Sequence, residues 1–136
     1  MIREATKSDL PTLRAIQQAS LDEPWPDLLS TADAGGPLIL VAEDPAPVGY
    51  AVAISSSEAT YLAELAVEPT ARRNGYGTAL LAAVLDRTNG RLELTVQESD
   101  EGAQKFYDSH SFAVEERLED YYKSGDGLLL VRDSGE

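Results

Sequence analysis

Residues 62–85 constrain the fold more than any other stretch of this 136-residue chain. They begin with an apolar run, 62–67, that is typical of a strand, and Pro69 ends it because proline has no N–H for a sheet ladder. After a short loop, the apolar residues 79–85 predict a helix that is packed on most of its faces. The predicted order is therefore a strand, a basic glycine loop and a helix.

The loop between the strand and the helix has the composition of an anion-binding site. It contains the arginines Arg72 and Arg73 and the glycines Gly75 and Gly77. Backbone N–H groups at a helix N-terminus lack partners within the helix, and the helix dipole adds partial positive charge there. The loop therefore predicts a site for a phosphate-bearing ligand, although the same glycines also suit an ordinary strand-to-helix turn.

Three phosphate-binding patterns can be compared with this loop. The P-loop requires a lysine that the loop lacks, and the dinucleotide pattern requires a third glycine where Leu80 stands. The sequence Arg-x-x-Gly-x-Gly beginning at Arg72, preceded by Val67-x-Pro69, resembles the acetyl-CoA pyrophosphate loop of the GNAT superfamily of N-acetyltransferases.

The composition argues against several other classes of protein. With 24 acidic and 11 basic residues the net charge is −13, which argues against a nucleic-acid-binding protein. The chain has no cysteine and no apolar run near the roughly 20 residues of a membrane span, so we expect neither a disulfide framework nor a membrane partner. We expect one domain over residues 1–136, a cytoplasmic location, and an acidic coat suited to a high-salt habitat.

The predicted elements follow the order β-α-α-β-β-β-α-β-α-β-β. This order resembles the α/β GNAT fold, with a mixed, mostly antiparallel sheet of six to seven strands flanked by about four helices. The predicted strands are 2–5, 38–42, 48–54, 61–67, 92–96, 112–118 and 128–131, the predicted helices are 8–20, 27–34, 79–85 and 101–110, and residues 119–126 are predicted to be a loop.

The second half of the chain extends the resemblance. Residues 96–107 resemble the GNAT segment that opens a helix carrying a tyrosine, and residues 117–122 resemble the Arg…Tyr-Tyr loop of the ribosomal-protein alanine N-acetyltransferase branch. Asp100 stands where the family usually has asparagine, and Thr95 stands where that branch has a glutamate taken as the general base. These departures concern the subfamily more than the fold.

The resemblance implies roles for the matched residues. Tyr107 would protonate the leaving thiolate, since a phenol with a pKa near 10 can act as an acid. Backbone groups of Leu65, Ala66 and Val67 would hold the pantetheine arm in the manner of an added strand. The remaining residues expected to hold acetyl-CoA are Arg72, Arg73, Asn74, Gly75, Tyr76, Gly77, Thr78 and Asp100.

The sequence leaves open which group removes the proton from the acceptor. Glu64 lies on the predicted cofactor strand and could act directly or through water. Glu93 lies on the strand that follows the helix and could act through water in place of the missing glutamate. His110, the only histidine, lies at a helix end where it also complements the helix dipole. The residues that could shape an acceptor groove are Tyr121, Tyr122 and Trp25, the last of which could equally belong to the core.

These observations predict an enzyme that transfers an acetyl group directly from acetyl-CoA to an amine, without a metal. The acceptor is a peptide or protein N-terminus or a small-molecule amine, and the enzyme is a monomer or a homodimer. One alternative is a non-catalytic CoA-binding or regulatory module with the same fold, and another is an unrelated phosphate-binding α/β domain. Turnover with any amine would exclude the CoA-binding module, and the unrelated domain would require a different order of elements after Gly90.

Overall fold

The computed structural model describes residues 1–21, 29, 37–88 and 90–133. Seven strands and three α-helices make up the regular structure of these residues, and short 3-10 turns, Lys7–Asp9 and Pro69–Ala71, precede the first two helices. The elements are β1 (Ile2–Glu4), α1 (Leu10–Ser20), β2 (Leu38–Glu43), β3 (Pro47–Ser55), β4 (Ala59–Val67), α2 (Tyr76–Asp86), β5 (Arg91–Gln97), α3 (Glu101–Asp108), β6 (Ala113–Tyr122) and β7 (Gly125–Arg132).

The strands form one mixed sheet in the order β1-β2-β3-β4-β5-β7-β6. Strands β4 and β5 are parallel, whereas the β1–β2, β2–β3, β5–β7 and β6–β7 pairs are antiparallel. The predicted mixed, mostly antiparallel sheet is therefore confirmed at seven strands. The predicted helix 27–34 and Trp25 lie outside the described residues, apart from Leu29, which is helical and fully buried.

Contacts divide the chain into two compact units. The first comprises Met1–Ser55 and Leu62–Arg87, and the second comprises Ser56–Tyr61 and Thr88–Glu136. Strand β4 therefore contributes residues to both units. No helix in the described part of the chain is long and apolar enough to cross a membrane.

The core of the first unit lies between α1 and strands β2, β3 and β4. Leu13 and Ile16 are buried on one face of α1, as their three-residue spacing predicts. Gly49 on β3 allows a close approach to the next strand, because a Cβ there would lie 2.9 Å from the carbonyl oxygen of Ala66. The buried residues that form this cluster are Leu13, Ile16, Leu29, Ile39, Val41, Tyr50, Val52 and Ala66.

The second unit is built on β5. Leu92, Leu94 and Val96 alternate along this strand and are all buried, as the two-residue period predicts. The described β4–β5 ladder consists of three parallel pairs and ends where Tyr61 lies opposite Glu93. On its other side β5 pairs with β7 over its whole length except its first residue.

The prediction of a loop over residues 119–126 is wrong. Strand β6 continues to Tyr122 and leaves two residues before β7 begins. A shift in register between Leu118 and Tyr122 lets the strand continue past Asp120, whose φ is 51°. The backbone N–H of Asp120 donates to Oδ1 of Asp126 at 2.8 Å, which stabilises this bulge. The acidic and glycine residues that suggested a loop therefore belong to an irregular hairpin.

Candidate active site

The basic glycine loop lies between β4 and α2 in the first unit. The backbone turns into the helix through left-handed conformations at Arg73 and Gly75, with φ values of 67° and 83°. The side-chain amide of Asn74 holds the turn by donating to the carbonyl oxygens of Ala71 at 2.9 Å and Arg72 at 3.2 Å. Gly75 is the N-cap and provides no side chain to cap the helix. The first-turn N–H groups therefore have no side-chain cap, which leaves the predicted anion site sterically and electrostatically suitable.

Both arginines of the loop are exposed. Nε of Arg72 donates to the carbonyl oxygen of Val67 at 3.3 Å, which draws this side chain back towards the end of β4. The guanidinium of Arg73 makes no hydrogen bond or ion pair with any residue that the structure describes. In a protein of net charge −13, such a cation is available to a bound anion.

Tyr76 is the first residue of α2, and its hydroxyl is hydrogen-bonded to a residue outside the glycine loop. The hydroxyl donates to Oδ2 of Asp44 at 2.5 Å, and this hydrogen bond to the ionised carboxylate raises the pKa of Tyr76. Its contribution to an anion site would therefore come from its backbone N–H, together with those of Gly77 and Thr78 in the same first turn.

The carboxylate of Glu64 is buried on β4 and accepts hydrogen bonds from Gln17 and Tyr50. Nε2 of Gln17 lies 2.9 Å from Oε1 and 3.2 Å from Oε2, and the Tyr50 hydroxyl donates to Oε1 at 2.7 Å. Burial, followed by the nearby Glu64 charge, holds the pKa of Tyr50 well above its usual range, so this phenol remains a donor. These donors compensate for the burial of the carboxylate.

The other predicted base candidate, Glu93 on β5, is bound to a cation. Oε2 of Glu93 lies 2.6 Å from Nε of Arg91, and the same guanidinium also pairs with Glu115. Glu93 therefore belongs to a three-residue ion-pair network of the second unit. Its carboxylate would have to leave Arg91 before it could accept a proton from an amine.

Four hydroxyl side chains of the second unit, Tyr61, Thr95, Tyr121 and Tyr122, form what we name the hydroxyl cluster. The hydroxyl oxygens of Tyr61 and Thr95 are 2.9 Å apart, and the Tyr122 hydroxyl donates to Oγ1 of Thr95 at 3.2 Å. The rings of Tyr121 and Tyr122 meet edge to face, with centroids 4.9 Å apart. Burial, assisted by the Tyr121 hydroxyl, holds the pKa of Tyr61 above its usual range.

Tyr61 was correctly predicted to lie on a strand, but its contact with Thr95 was not anticipated from the sequence. The predicted acceptor residues Tyr121 and Tyr122 are brought together with Thr95, and Tyr61 joins them because the parallel register places it opposite Glu93, two residues before Thr95. The only available signal was the presence of an aromatic hydroxyl near the start of strand β4. That signal could not be interpreted without the register of β4 on β5.

Tyr107 is buried in the second unit, where its ring packs edge to face on Phe106 and Phe112 at centroid distances of 5.1 and 5.4 Å. Its hydroxyl makes no hydrogen bond to any described residue. Burial, followed by the charge of Asp100 and the proximity of Tyr122, holds the pKa of Tyr107 well above its usual range. The phenol is therefore protonated at neutral pH and can serve as a proton donor.

Asp100 forms the N-cap of α3. Its Oδ1 accepts a hydrogen bond from the backbone N–H of Ala103 at 3.0 Å. The side-chain amide of Gln104 donates to the carbonyl oxygens of Glu98 at 2.7 Å and Asp100 at 3.2 Å, which fixes the turn before the helix. The cap therefore places Tyr107 by setting where α3 begins.

Comparison with known proteins identifies the class. The family described as the "Acetyltransferase (GNAT) family" matches residues 2–112, so the chain belongs to this family, and it is an N-acetyltransferase. It is 30% identical over 133 residues to the [ribosomal protein bS18]-alanine N-acetyltransferase of Haemophilus ducreyi, covering 93% of this chain and 92% of that protein.

Solved structures agree on the fold. The ribosomal-protein-S18-alanine N-acetyltransferase of Escherichia coli superposes with a TM-score of 0.85 at 23% identity, covering 98% of this chain and 92% of that one. Arabidopsis thaliana NAA60 in complex with acetyl-CoA superposes with a TM-score of 0.84 at 18% identity, covering 100% and 99% of the two chains. At these identities the likeness concerns the α/β fold with its mixed sheet.

Proposed function

We propose that this protein transfers the acetyl group of acetyl-CoA to the free amine at the N-terminus of a peptide or protein. The observation that carries the proposal is the loop between β4 and α2, where a helix start without a side-chain cap follows Arg73, whose guanidinium has no hydrogen-bond or ion-pair partner among the described residues. The Haemophilus ducreyi relative, named for acetylating an alanine of a ribosomal protein, supports a protein acceptor.

The loop residues would hold the diphosphate of acetyl-CoA. The first-turn N–H groups of α2 supply donors, and Arg73 supplies a positive charge. The backbone groups of Leu65, Ala66 and Val67 would pair with the amide groups of the pantetheine arm, because they lie beyond the three described pairs of the β4–β5 ladder. A backbone N–H of this strand would also polarise the thioester carbonyl.

Tyr107 would act as the general acid. During transfer, the amine nitrogen forms a bond to the thioester carbon, and the carbon–sulfur bond breaks with its electron pair on sulfur. The Tyr107 phenol, kept neutral by burial, would then supply the proton that the thiolate requires, and the proton lost by the acetylated nitrogen would return to the phenolate through solvent water. Of the two carboxylates considered as the base, Glu64 and Glu93, each is already engaged by neighbouring side chains.

The proposal is tested by incubating the protein with acetyl-CoA and a set of amines. The set comprises a lysine-free peptide with a free N-terminus, the same peptide with a blocked N-terminus, and a small primary amine. We expect mass spectrometry to show acetylation of the free N-terminus and none of the blocked peptide. Transfer to the small amine alone would show that the acceptor is a small-molecule amine and not a peptide. Binding of acetyl-CoA without transfer to any amine would favour a CoA-binding module.

A further inference from the structure

Two side chains of α1 hold the part of β4 that leads into the basic glycine loop. Nε2 of Gln17 donates to Oε1 of Glu64 at 2.9 Å. Oγ of Ser20, the last residue of α1, donates to the carbonyl oxygen of Val67 at 3.2 Å. Gln17 and Ser20 are three residues apart, so they lie on the same face of the helix. The helix therefore holds β4 at both ends of residues 64–67, within the first unit.

Strand β3 holds the same segment of β4. The Tyr50 hydroxyl donates to Oε1 of Glu64 at 2.7 Å, and both side chains are buried. Because Gly49 has no side chain, β3 approaches so closely that a Cβ there would lie 2.9 Å from the carbonyl oxygen of Ala66. A shift of β4 against α1 or β3 would separate a buried carboxylate from its donors, which costs free energy.

The backbone groups of this segment are directed to two different edges of the strand. The N–H of Glu68 donates to the carbonyl oxygen of Val48 on β3 at 2.7 Å. Successive residues of a strand direct their N–H and C=O groups to alternate edges, so Ala66 also faces β3. Leu65 and Val67 therefore face the opposite edge. Of the three residues expected to hold the pantetheine arm, these two present their backbone groups away from β3.

The carbonyl oxygen of Val67 is engaged by the protein itself. It accepts hydrogen bonds from Oγ of Ser20 at 3.2 Å and from Nε of Arg72 at 3.3 Å, which matches its two lone pairs. The groups left for the arm are the N–H and C=O of Leu65 and the N–H of Val67. A displacement of these groups by about 1 Å would exceed the range of a hydrogen bond, so their placement decides how well the arm binds.

We propose that Gln17 and Ser20 are positioning residues for the pantetheine arm of acetyl-CoA, because they fix where β4 presents the backbone groups of Leu65 and Val67. This inference rests on the proposed function and narrows the set of groups that would hold the arm. The two side chains act through β4 and need no contact with the cofactor. Helix α1 is thereby part of the cofactor site as well as of the core.

The test compares acetyl-CoA with 3′-phosphoadenosine 5′-diphosphate, which is coenzyme A without its pantetheine arm. Both ligands would bind the basic glycine loop, and only acetyl-CoA would bind Leu65 and Val67. Calorimetric titration gives the Kd of acetyl-CoA, and competition against acetyl-CoA gives the Kd of the ligand without the arm. A change in the first Kd alone therefore reports on the arm.

Ser20→Ala is the first variant, because it removes one hydrogen bond from a half-buried side chain with little loss of volume. We expect the Kd of acetyl-CoA to rise about 3- to 10-fold, as for the loss of one hydrogen bond, and the Kd of the ligand without the arm to be unchanged. Ser20→Thr keeps a hydroxyl and should restore acetyl-CoA binding. Thr12→Ala removes a hydroxyl from the exposed surface of α1 and is the matched control.

Gln17→Ala tests the other contact of α1 and should show the same pattern, with Gln18→Ala at an exposed position as its control. In turnover assays, the KM of acetyl-CoA should rise in Gln17→Ala and in Ser20→Ala, whereas the KM of the peptide should not change. A residue that only stabilises the fold would not weaken one ligand and spare the other.

Two results with folded variants would overturn the inference. One is an unchanged Kd of acetyl-CoA in both Gln17→Ala and Ser20→Ala, and the other is an equal rise in Kd for both ligands. Failure of the wild type to bind acetyl-CoA would instead contradict the proposed function on which the inference rests. Failure of the ligand without the arm to compete with acetyl-CoA would contradict the role of the basic glycine loop.

Discussion

The side-chain amide of Gln17 donates to the carboxylate of Glu64 at 2.9 Å, which joins α1 to β4 within the first unit. Gln17→Ala would remove this donor from a buried charge, so we expect a loss of about 1–3 kcal/mol in the free energy of unfolding. Gln18→Ala, at an exposed position one residue further along α1, is the matched control. Urea unfolding measures the stability of both variants. Equal free energies of unfolding for the two would show that the contact between Gln17 and Glu64 does not stabilise the fold.

Acid should weaken the fold through Asp9. Hydrogen bonds from Arg3 at 2.8 and 2.9 Å hold the pKa of Asp9 well below its usual range. Because the unfolded aspartate titrates near pH ~3.9, the stabilisation is complete above about pH 5 and declines as the pH falls below about 4.

The matched variants for this effect are Asp9→Asn and Asp133→Asn, the second at an exposed position. We expect Asp9→Asn to be about 2 kcal/mol less stable than the wild type at pH 7 and the difference to shrink towards pH 3. Urea midpoints at several pH values measure it. A difference that stays constant down to pH 3 would contradict the ionic role of Asp9.

Tyr107→Phe should separate catalysis from binding. The variant keeps the ring that packs on Phe106 and Phe112 but loses the proton donor, so kcat should fall about 10²- to 10⁴-fold. The Kd of acetyl-CoA should not change. Because the pKa of Tyr107 is raised, the wild-type kcat should show no alkaline decline attributable to this group below pH 10. If the folded variant had the same kcat as the wild type, Tyr107 would be excluded as the general acid.

Gly127 on β7 leaves room for the tyrosine pair. A Cβ at this position would lie 3.1 Å from Tyr122 and 3.2 Å from Tyr121, so Gly127→Ala must displace the rings. We expect a loss of about 1–3 kcal/mol in stability and a higher KM for the peptide acceptor. Gly102→Ala, where the nearest atom is 3.7 Å away, is the control. A peptide KM equal in the two variants would show that the tyrosine pair does not contact the acceptor.

Local patterns in the sequence predicted most of the fold. The alternation of Leu92, Leu94 and Val96 and the helical spacing of Leu13 and Ile16 correctly indicated which faces are buried. These patterns depend only on the period of a strand or helix. The end of β6 was missed because its bulge at Asp120 interrupts the alternation, and because the acidic and glycine residues there are also those of a loop.

The candidate site residues that the sequence indicated are mostly contiguous, whereas the contacts that only the structure reveals join distant residues. The loop from Arg72 to Thr78 is one uninterrupted motif, whereas Tyr61 and Thr95 are 34 positions apart and meet only through the parallel register. The contact between Gln17 and Glu64 spans 47 positions and likewise depends on how a helix packs on a strand. Such contacts arise from tertiary packing, which a single sequence does not reveal.

Calorimetric titration with acetyl-CoA in high salt tests the central claim most directly. Wild type should bind, and Arg73→Ala/Gly75→Asp should lose binding, because an acidic side chain at φ 83° opposes the diphosphate where the cation of Arg73 has been removed. Urea unfolding must show that the double variant is folded. Failure of folded wild type to bind acetyl-CoA, or equal binding by both proteins, would contradict the account of the loop as the cofactor site.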